Sequence, residues 1–511
     1  MILTSKQMRI AEQNAVDLGM NWLRLMENAG SAVAKEIRKR YNPSGKKVVI
    51  VCGKGNNGGD GYVVARKLLD NDANIRVISV GAPATDSAKE MALKMMNHGI
   101  KPVDFQSYES LCVQYITDCD IIVDALFGIG FSGEVSGIYE TAINAINASS
   151  AAKISIDIPS GMSGDENIPC DTFVRPDITI TFAAYKPCHL LYPQSKLCGK
   201  VIVASIGMPD EAFNGIEPII RVVSEQQVAD AMPRRKADSH KGDFGTAALY
   251  VGSKGYAGAA AIAVNAAVKS GAGIVNAIIP NSIYNIVSSS KHEAVCTVIE
   301  ADDEKALNYE NTARIVDTIN SSTCALIGCG IGISEFSKYT VKSIVENAKV
   351  PLVIDADALN ILSLQTELLK SAKAEIVLTP HPKEAARLIG KTTEEIQSDR
   401  IGSAKEIAKA TGAITVLKGA NTIIALPSGK NYIVTDGNPG MATAGTGDML
   451  AGMIAAFIAQ GLSPADSAIS AVKLHAMAGD IAVLETGELS LTPTDMINAL
   501  PTVFKKIYSI K

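Results

Sequence analysis

Short apolar runs that stop on glycine recur along this 511-residue chain, and they decide what it can fold into. Lys47 to Cys52 (KVVIVC) runs into GKGNNGGDG, Ile121 to Leu126 (IIVDAL) runs into FGIGFSG, and Ile154 to Gly161 reads ISIDIPSG. Runs this short and this apolar are strands buried on both faces. Amphipathic stretches lie before and between them, near Lys6 to Leu18, Trp22 to Arg40, Gly61 to Leu69 and Asp86 to Asn97. Strands alternating with helices form a mostly parallel sheet with helices on both faces. On such a sheet ligands bind outside the carboxyl ends of the strands, where each glycine turn falls. A second series follows, with strands expected at Thr246–Val251, Ala294–Ile299, Cys324–Gly328, Leu352–Asp355, Glu375–Leu378 and Ile414–Leu417. Its helices are expected at Gly258–Ser270, Ser334–Asn347, Lys383–Ile389, Thr393–Thr411, Gly445–Ala459 and Pro464–Leu484. Between the series, residues 215–241 are charged and poor in strand signals. The expectation is an α/β chain of two domains, 1–212 and 225–511, joined by a linker at 213–224.

Composition narrows the function. A net charge of −5 and a single tryptophan, Trp22, among 5% aromatics argue against a nucleic-acid partner. Nine cysteines without a CxxC pair read as reduced thiols, and Cys324 and Cys329 as small core residues. The N-terminus has charges throughout and no apolar signal core, and the run Gly255–Val268 is too short to span a bilayer, so no membrane partner and a cytoplasmic location are expected. Met8, Ala11, Val16, Leu23, Leu25 and Met26 give the first helices apolar faces that could pack on a second copy, so a homo-oligomer is expected.

CGKGNNGGDG packs five glycines into ten residues. That density reads as backbone amides turned to a ligand rather than as packing, and the helix that follows adds partial positive charge. The loop lacks the GK[ST] of a phosphate-binding P-loop. Gly128, Gly130 and Gly133 match GxGxxG after a strand, although the acid expected after the next strand, Asp157, is followed at once by Pro159, Ser160 and Gly161. Asp124 and Asp157 end neighbouring strands, and either could move a proton. Oxygens from Asn57, Asp124 and Ser160 suit a hard cation better than zinc.

In the second series, NPGMATAGTGDMLAGMIAAF (Asn438 to Phe457) places Gly440, Gly445 and Gly447 before an apolar helix. Amides at that helix start form an anion hole, and Asp448 lies in the first turn as a base for a hydroxyl attacking a phosphoryl group. KGANTIIA (Lys418 to Ala425) joins two strands and could hold a nucleotide. TPHPKEAARL places His381, Lys383 and Arg387 on an anion-ready surface. In IDADALN, Asp355 and Asp357 could hold magnesium through water or simply cap the next helix.

CGKGNNGGDGYVVAR, DALFGIGFSG and DIPSG, in that order, resemble the NAD(P)H-hydrate epimerase family over about residues 1–212. The resemblance implies a Rossmann-like three-layer sandwich. It implies that Asn56, Asn57, Gly58, Gly59, Asp60, Gly128, Ile129, Gly130, Phe131, Ser132, Gly133, Glu134, Tyr139 and Asp157 face the hydrated nucleotide. It also implies a potassium ion at Asn57, Asp124 and Ser160, and interconversion of the two epimers at C6 of the hydrated ring. HKGDFG, GSKGYAGAA, GCGIG, DADALN, TPHPKEAARL, KG and NPGMATAGTGD resemble the NAD(P)H-hydrate dehydratase branch of the ribokinase-like superfamily over about 225–511. Here the resemblance implies that Gly330 and the stretch His381, Pro382, Lys383, Glu384, Ala385, Ala386 and Arg387 bind the hydrate. Lys418, Gly419, Ala420, Asn421 and Thr422 would bind ADP, together with Asn438, Pro439, Gly440, Met441, Ala442, Thr443, Ala444, Gly445, Thr446 and Gly447. Asp448 would stand at the reacting hydroxyl, in an ADP-dependent dehydration of the S epimer that yields AMP, phosphate and NAD(P)H.

Two other readings compete. A vitamin-pathway kinase with a nucleotide-sensing N-terminal half would share GTGD, but not HPKEAAR or the paired loops of the first half. A non-catalytic interaction protein would leave Asp124 and Asp448 without a task.

Overall fold

The computed structural model describes residues 1–69, 72–165, 171–300 and 307–510. The chain divides into two compact units, Met1–Ile219 and Ile220–Lys511. Arg221 and Val222, expected in the linker, instead pair as a strand with the second sheet.

The first unit is built on β1 (Lys47–Cys52), β2 (Asn74–Ser79), β3 (Val103–Asp104), β4 (Ile121–Ala125), β5 (Ala152–Ile156), β6 (Ile178–Phe182) and β7 (Lys200–Ala204). They lie in the order β3-β2-β1-β4-β5-β6-β7, each pair parallel. One apolar layer gathers Ile37, Val63, Leu68 and Met91 against Val48 and Ile50; the other gathers Phe105, Ile116, Ile143 and Ile146 against Val49 and Ile122. This is the expected three-layer α/β sandwich. The strand order reverses between β1 and β4, and a crevice opens at their carboxyl ends.

The second unit holds β8 (Arg221–Val222), β9 (Thr246–Tyr250), β10 (Ile274–Pro280), β11 (Val295–Ile299), β12 (Cys324–Ile327), β13 (Leu352–Ile354), β14 (Ile376–Leu378), β15 (Ile414–Leu417), β16 (Thr422–Ala425) and β17 (Asn431–Val434). Their order is β11-β10-β9-β12-β13-β14-β15-β16-β17-β8. The strands from β11 to β15 are parallel, whereas β16 runs antiparallel to both neighbours. The order reverses between β9 and β12. Helix Pro464–Thr486 is long and apolar enough to cross a membrane by composition, but 78% of its apolar window is buried inside this unit, so it reads as a core helix.

Several expectations need correction. The helix after β1 begins at Asn56, not Gly61, so NNGGDG is its first turn and a half rather than a loop. Its glycines are there for packing after all: a Cβ on Gly58 would sit 2.0 Å from the Gly53 carbonyl oxygen, and one on Gly61 2.7 Å from both Ala125 Cβ and Cys52 Sγ. The helix thus lies directly on β1 and β4. The helix expected over Thr393–Thr411 breaks at Asp399, whose carboxylate caps the second piece through Gly402 N. Strands β3, β6, β7, β8, β10, β16 and β17 lie outside the strands expected from the sequence. Thr179 and Thr181 interrupt the apolar pattern of β6, yet both are fully buried. Finally, Met8, Ala11, Leu25 and Met26 are buried within their own unit and Val16 and Leu23 pack against its core, so this face is not free for a second copy.

The second core is equally tight. Gly452, in helix Thr446–Ala459, faces Ala263 of helix Ala257–Lys269, and a Cβ there would sit 2.4 Å from the Ala263 carbonyl oxygen. Gly452→Val should force the two helices apart and destabilise the second unit by about 3 kcal/mol; calorimetric unfolding of the full chain checks this, with the first unit's transition as internal reference.

Candidate active sites

In the first unit the neighbouring strands β1, β4, β5 and β6 each deliver a residue to the crevice. Parallel strands end level with one another, so residues just past their ends converge. Asp124, inside β4, is fully buried. Its carboxylate accepts from Ser155 Oγ at 2.7 Å, Ser160 Oγ at 2.5 Å, Ser160 N at 3.0 Å and Leu126 N at 3.3 Å. Burial raises its carboxyl above the ordinary range, against the pull of these donors. Asn57 Nδ2 donates to the carbonyl of Phe127 at 2.8 Å, and Ser160 Oγ lies 3.3 Å from the same oxygen. Asn57 and Ser160 thus meet at one backbone carbonyl, and Ser160 carries the contact on to Asp124, the one carboxylate of the set.

Asp157 follows β5 in the left-handed region (φ 67°). Lys186 Nζ, buried, donates to its Oδ1 at 2.7 Å; Thr181 Oγ1 donates to the same oxygen at 3.0 Å; Ile129 N donates to Oδ2 at 3.2 Å. Burial alone would raise the Asp157 carboxyl, but the Lys186 ammonium holds it below the usual carboxylate range. The His189 ring lies 3.0 Å from the Asp157 carbonyl, and burial pushes that imidazole down to about 3, leaving it neutral. A Cβ on Gly128 would sit 3.3 Å from both Asn57 Oδ1 and Asp157 Oδ2, so the loop after β4 joins the two groups. Asp60 is buried behind them, and burial followed by the charges of Asp157 and Glu12 raises it well above the ordinary value.

The expected ligand loop is not a Rossmann turn: its helix starts only at Ile138. Residues 127–139 fold on themselves, with Phe127 stacked on Phe131 at 4.6 Å and tilted against Tyr139 at 4.9 Å. Gly130, Ser132, Gly133 and Glu134 are exposed along the crevice, and Asn56 opens the adjacent helix with its Oδ1 taking a hydrogen bond from Thr85. Gly58 and Gly59, by contrast, are buried. Sequence reasoning missed Lys186, Thr181, His189 and Glu12. Each lies far along the chain from Asp157 and carries no motif of its own.

The second site is laid out in the same way. Strands β12, β13, β14 and β15 are consecutive in the sheet, and just past their ends stand Cys329, Asp355, Thr379 and Lys418. Lys418 Nζ and Thr379 Oγ1 each lie 2.7 Å from Asp355 Oδ1. Burial would raise Asp355, but Lys418 holds it below its ordinary value. Its side chain does not cap the following helix. Helix Thr446–Ala459 points its N-terminus at this group: Gly445 at its start offers no side-chain cap, and a Cβ on Gly447 would lie 3.2 Å from Lys418 Nζ. The helix-start amides therefore remain available to an anion beside the ammonium. Asp448, Asp355 and the Cys329 thiol hold ligand atoms within 4.8 Å of one another. Burial, then the negative charge of Asp355, pushes the Asp448 carboxyl up to about 7. Cys329 is a buried core residue as expected, and its thiol also borders this acid pair; burial keeps it protonated, which unfits it for a hard metal.

Around this centre, Asn438 Oδ1 accepts from Gly440 N, and Asn438 Nδ2 reaches Asp480 Oδ1 at 3.0 Å. His475 Nε2 lies 3.0 Å from the Thr446 carbonyl oxygen. Asp480 and His475, both on the core helix, were also missed by sequence reasoning. Gly330 accepts from Ser253 Oγ at 2.8 Å. His381 caps helix Pro382–Ile389 through Nδ1, with Glu384 returning the bond to His381 N at 2.8 Å. Lys383 and Arg387 are exposed, while Ala385 and Ala386 face the core and cannot touch a ligand with their side chains. Lys418 is committed to Asp355; Gly419 and Ala420 are exposed, Asn421 has a positive φ of 57°, and Thr422 already belongs to β16. A cavity of about 880 Å³ is bounded by Tyr256, Gly332, Asp357, Asn360 and Arg387 among others.

The family pattern described as NAD(P)H-hydrate dehydratase matches residues 247–502, and that described as YjeF-related protein N-terminus matches 23–188. A bifunctional NAD(P)H-hydrate repair enzyme Nnr of Thermofilum pendens is 36% identical over 94% of this chain and 92% of its own length. One from Escherichia coli is 32% identical over 97% and 92%. The chain belongs to the bifunctional NAD(P)H-hydrate repair enzymes. A ribokinase-like superfamily protein of Enterococcus faecalis is 29% identical, with a TM-score of 0.50, over 57% of this chain and 98% of that protein, which fits the expected ribokinase-like second domain. In this repair enzyme both crevices carry a buried aspartate ion-paired to a lysine.

The raised Asp448 carboxyl has a consequence for stability. A carboxyl with a higher value folded than unfolded binds its proton more tightly in the native state. That contribution is whole below the unfolded value, near 4, and is lost as pH rises toward 7. Above pH 7 the buried charge costs stability. Asp448→Asn should therefore melt later than the parent at pH 8, by an amount on the order of 2 kcal/mol, and with it at pH 4; thermal scans at the two pH values check this.

Proposed function

We propose that the first unit interconverts the R and S forms of hydrated NADH and NADPH at C6, and that the second dehydrates the S form with ADP, giving NAD(P)H, AMP and phosphate. The observation that carries the second half is the meeting of base, cation and open helix start at Asp448, Lys418 and Gly445–Gly447. Asp448 accepts the proton of the C6 hydroxyl as its oxygen attacks the terminal phosphorus of ADP. The helix-start amides and Lys418 face the transferred group, and AMP departs. Phosphate then leaves C6 as the ring nitrogen lone pair forms the iminium bond, and loss of a C5 proton restores the dihydronicotinamide. Asn438–Thr446 and Lys418–Thr422 hold ADP. Gly330, His381, Lys383 and Arg387 hold the hydrate, and Arg387 with Asp357 also bounds the cavity of about 880 Å³.

In the first unit Asp157, rather than the fully engaged Asp124, is the proton-moving group, because it borders the glycine-rich loop at Gly128. Asn57, Asp124, Ser160 and the Phe127 carbonyl fit a potassium ion, and Asp355 and Asp357 a magnesium ion that enters with the nucleotide. These ions would supply fixed positive charge near phosphate and carboxylate. A vitamin-pathway kinase is not favoured, since the relatives match over both units.

Asp448→Asn should abolish phosphate release from ADP and S hydrate while R and S still interconvert; Asp157→Asn should do the reverse. Chromatography of both epimers with recovery of the NADH absorbance checks this, and a stable phosphorylated product would favour the kinase. If the potassium assignment is right, replacing potassium by lithium should lower the melting temperature of the first unit, and Asn57→Ala should erase the difference.

A further inference from the structure

We propose that helix Ser5–Asp17 completes the epimerisation site, with Glu12 as the proton donor opposite Asp157 and Arg9 as the contact for the substrate's phosphates. The inference rests on the epimerase reading of the first unit. The helix lies outside the matched family pattern, which begins at residue 23. It is pinned to the site from several sides. Leu3 N donates to the Tyr185 carbonyl at 3.0 Å, next to the Lys186 that pairs with Asp157. Ser5 N donates to Asp165 Oδ1, and Asn14 Nδ2 to the Ala212 carbonyl. Met8 packs in one cluster with Ile129 of the glycine-rich loop. One residue on, Arg9 reaches over that loop, so that a Cβ on Gly130 would lie 3.5 Å from its Nη2. Arg9 makes no ion pair among the described residues, and its open guanidinium above a glycine suits a pyrophosphate.

Glu12 is one turn further along the helix from Arg9 and Met8. It is held in place by no hydrogen bond among the described residues. The charged groups that face it are Asp157 beyond the strand end of β5, Lys186 beyond that of β6, Arg9 on its own helix, and Asp60 on the helix after β1. Burial, then the charge of Asp157, pushes the Glu12 carboxyl up to about 7, whereas Lys186 keeps Asp157 ionised. Two carboxyls driven apart in this way divide the roles of acid and base. Asp157 takes the C6 hydroxyl proton. The O–H pair becomes the second C–O bond, the C6–N bond breaks, and its electrons stay on the ring nitrogen, which takes the proton of Glu12. Rotation of the aldehyde and the reverse transfers close the ring on the other face, with nothing gained or lost.

The full chain is assayed without ADP, so that dehydration is silent, on hydrated NADH enriched in the R epimer. Glu12→Gln should lower kcat for conversion to S by about 100-fold or more with little change in KM, and Glu12→Asp should restore part of it. In the parent, kcat/KM should fall as pH rises through about 7, and Glu12→Gln should lose that limb. Arg9→Ala should instead raise KM. Dehydration of the S epimer with ADP should be unchanged in all three variants, which reports that they fold. Parent-like epimerisation and pH profile in Glu12→Gln overturn the inference. A parent that does not accelerate epimerisation at all overturns the epimerase reading itself.

Discussion

Each unit pairs a lysine with a buried aspartate at the end of its sheet, Lys186 on Asp157 and Lys418 on Asp355, both at 2.7 Å. A charge inside a protein is costly unless paired and hydrogen-bonded, and a threonine on each aspartate, Thr181 or Thr379, adds a further donor. Removing either lysine would strand a buried carboxylate, at a cost of several kcal/mol. The pairs do more than neutralise. Burial is the main force raising the next acid along, Glu12 in one unit and Asp448 in the other, and the carboxylate each pair keeps ionised adds to it. An acid titrating near neutrality is what proton transfer at physiological pH requires.

Strand register makes these meetings possible. In the second sheet Val353 stands level with Leu326 and Val377, and Leu378 with Thr415, so Cys329, Asp355, Thr379 and Lys418 emerge side by side. In the first sheet Asp124 stands level with Val51 and Ser155. A one-residue slip would send each inward carboxylate to the opposite face of the sheet. The long apolar strands that fix the register therefore serve the chemistry directly, and the glycines at Gly58, Gly61 and Gly452 serve it by letting helices lie close enough to hold the strands in place.

Much of this was legible in the amino-acid sequence. Apolar runs ending in glycine mark the strand ends, and the residues just after them, Asp157, Asp355 and Lys418, are the ones the sheets assemble. The reading failed where a residue's role depends on a partner elsewhere in the chain. Lys186 is 29 residues from Asp157, and Lys418 is 63 from Asp355; only the order of strands in the sheet joins them. Glu12 is further still, on a helix whose apolar face looks like an interface until it is seen buried against its own unit. Glycines misled in another way: the same residue permits both a ligand's approach and a helix's, and NNGGDG turned out to serve the second.

The chemistry also explains why the two acids need different surroundings. Dehydration makes a leaving group by phosphorylation, so its base must sit beside an anion hole, and Asp448 shares one helical turn with the amides that would face phosphate. Placing a carboxylate there is favourable to the helix dipole but unfavourable to the incoming phosphate. A carboxyl that is half protonated near neutrality eases that conflict, since it can admit the nucleotide while neutral and act as a base once Lys418 and the helix start share the phosphate's charge. Epimerisation transfers no phosphoryl group, and its site places Asp157 on the Lys186 ammonium. On the roles proposed for them, Asp157 can therefore stay ionised, whereas Asp448 must stay near the balance point.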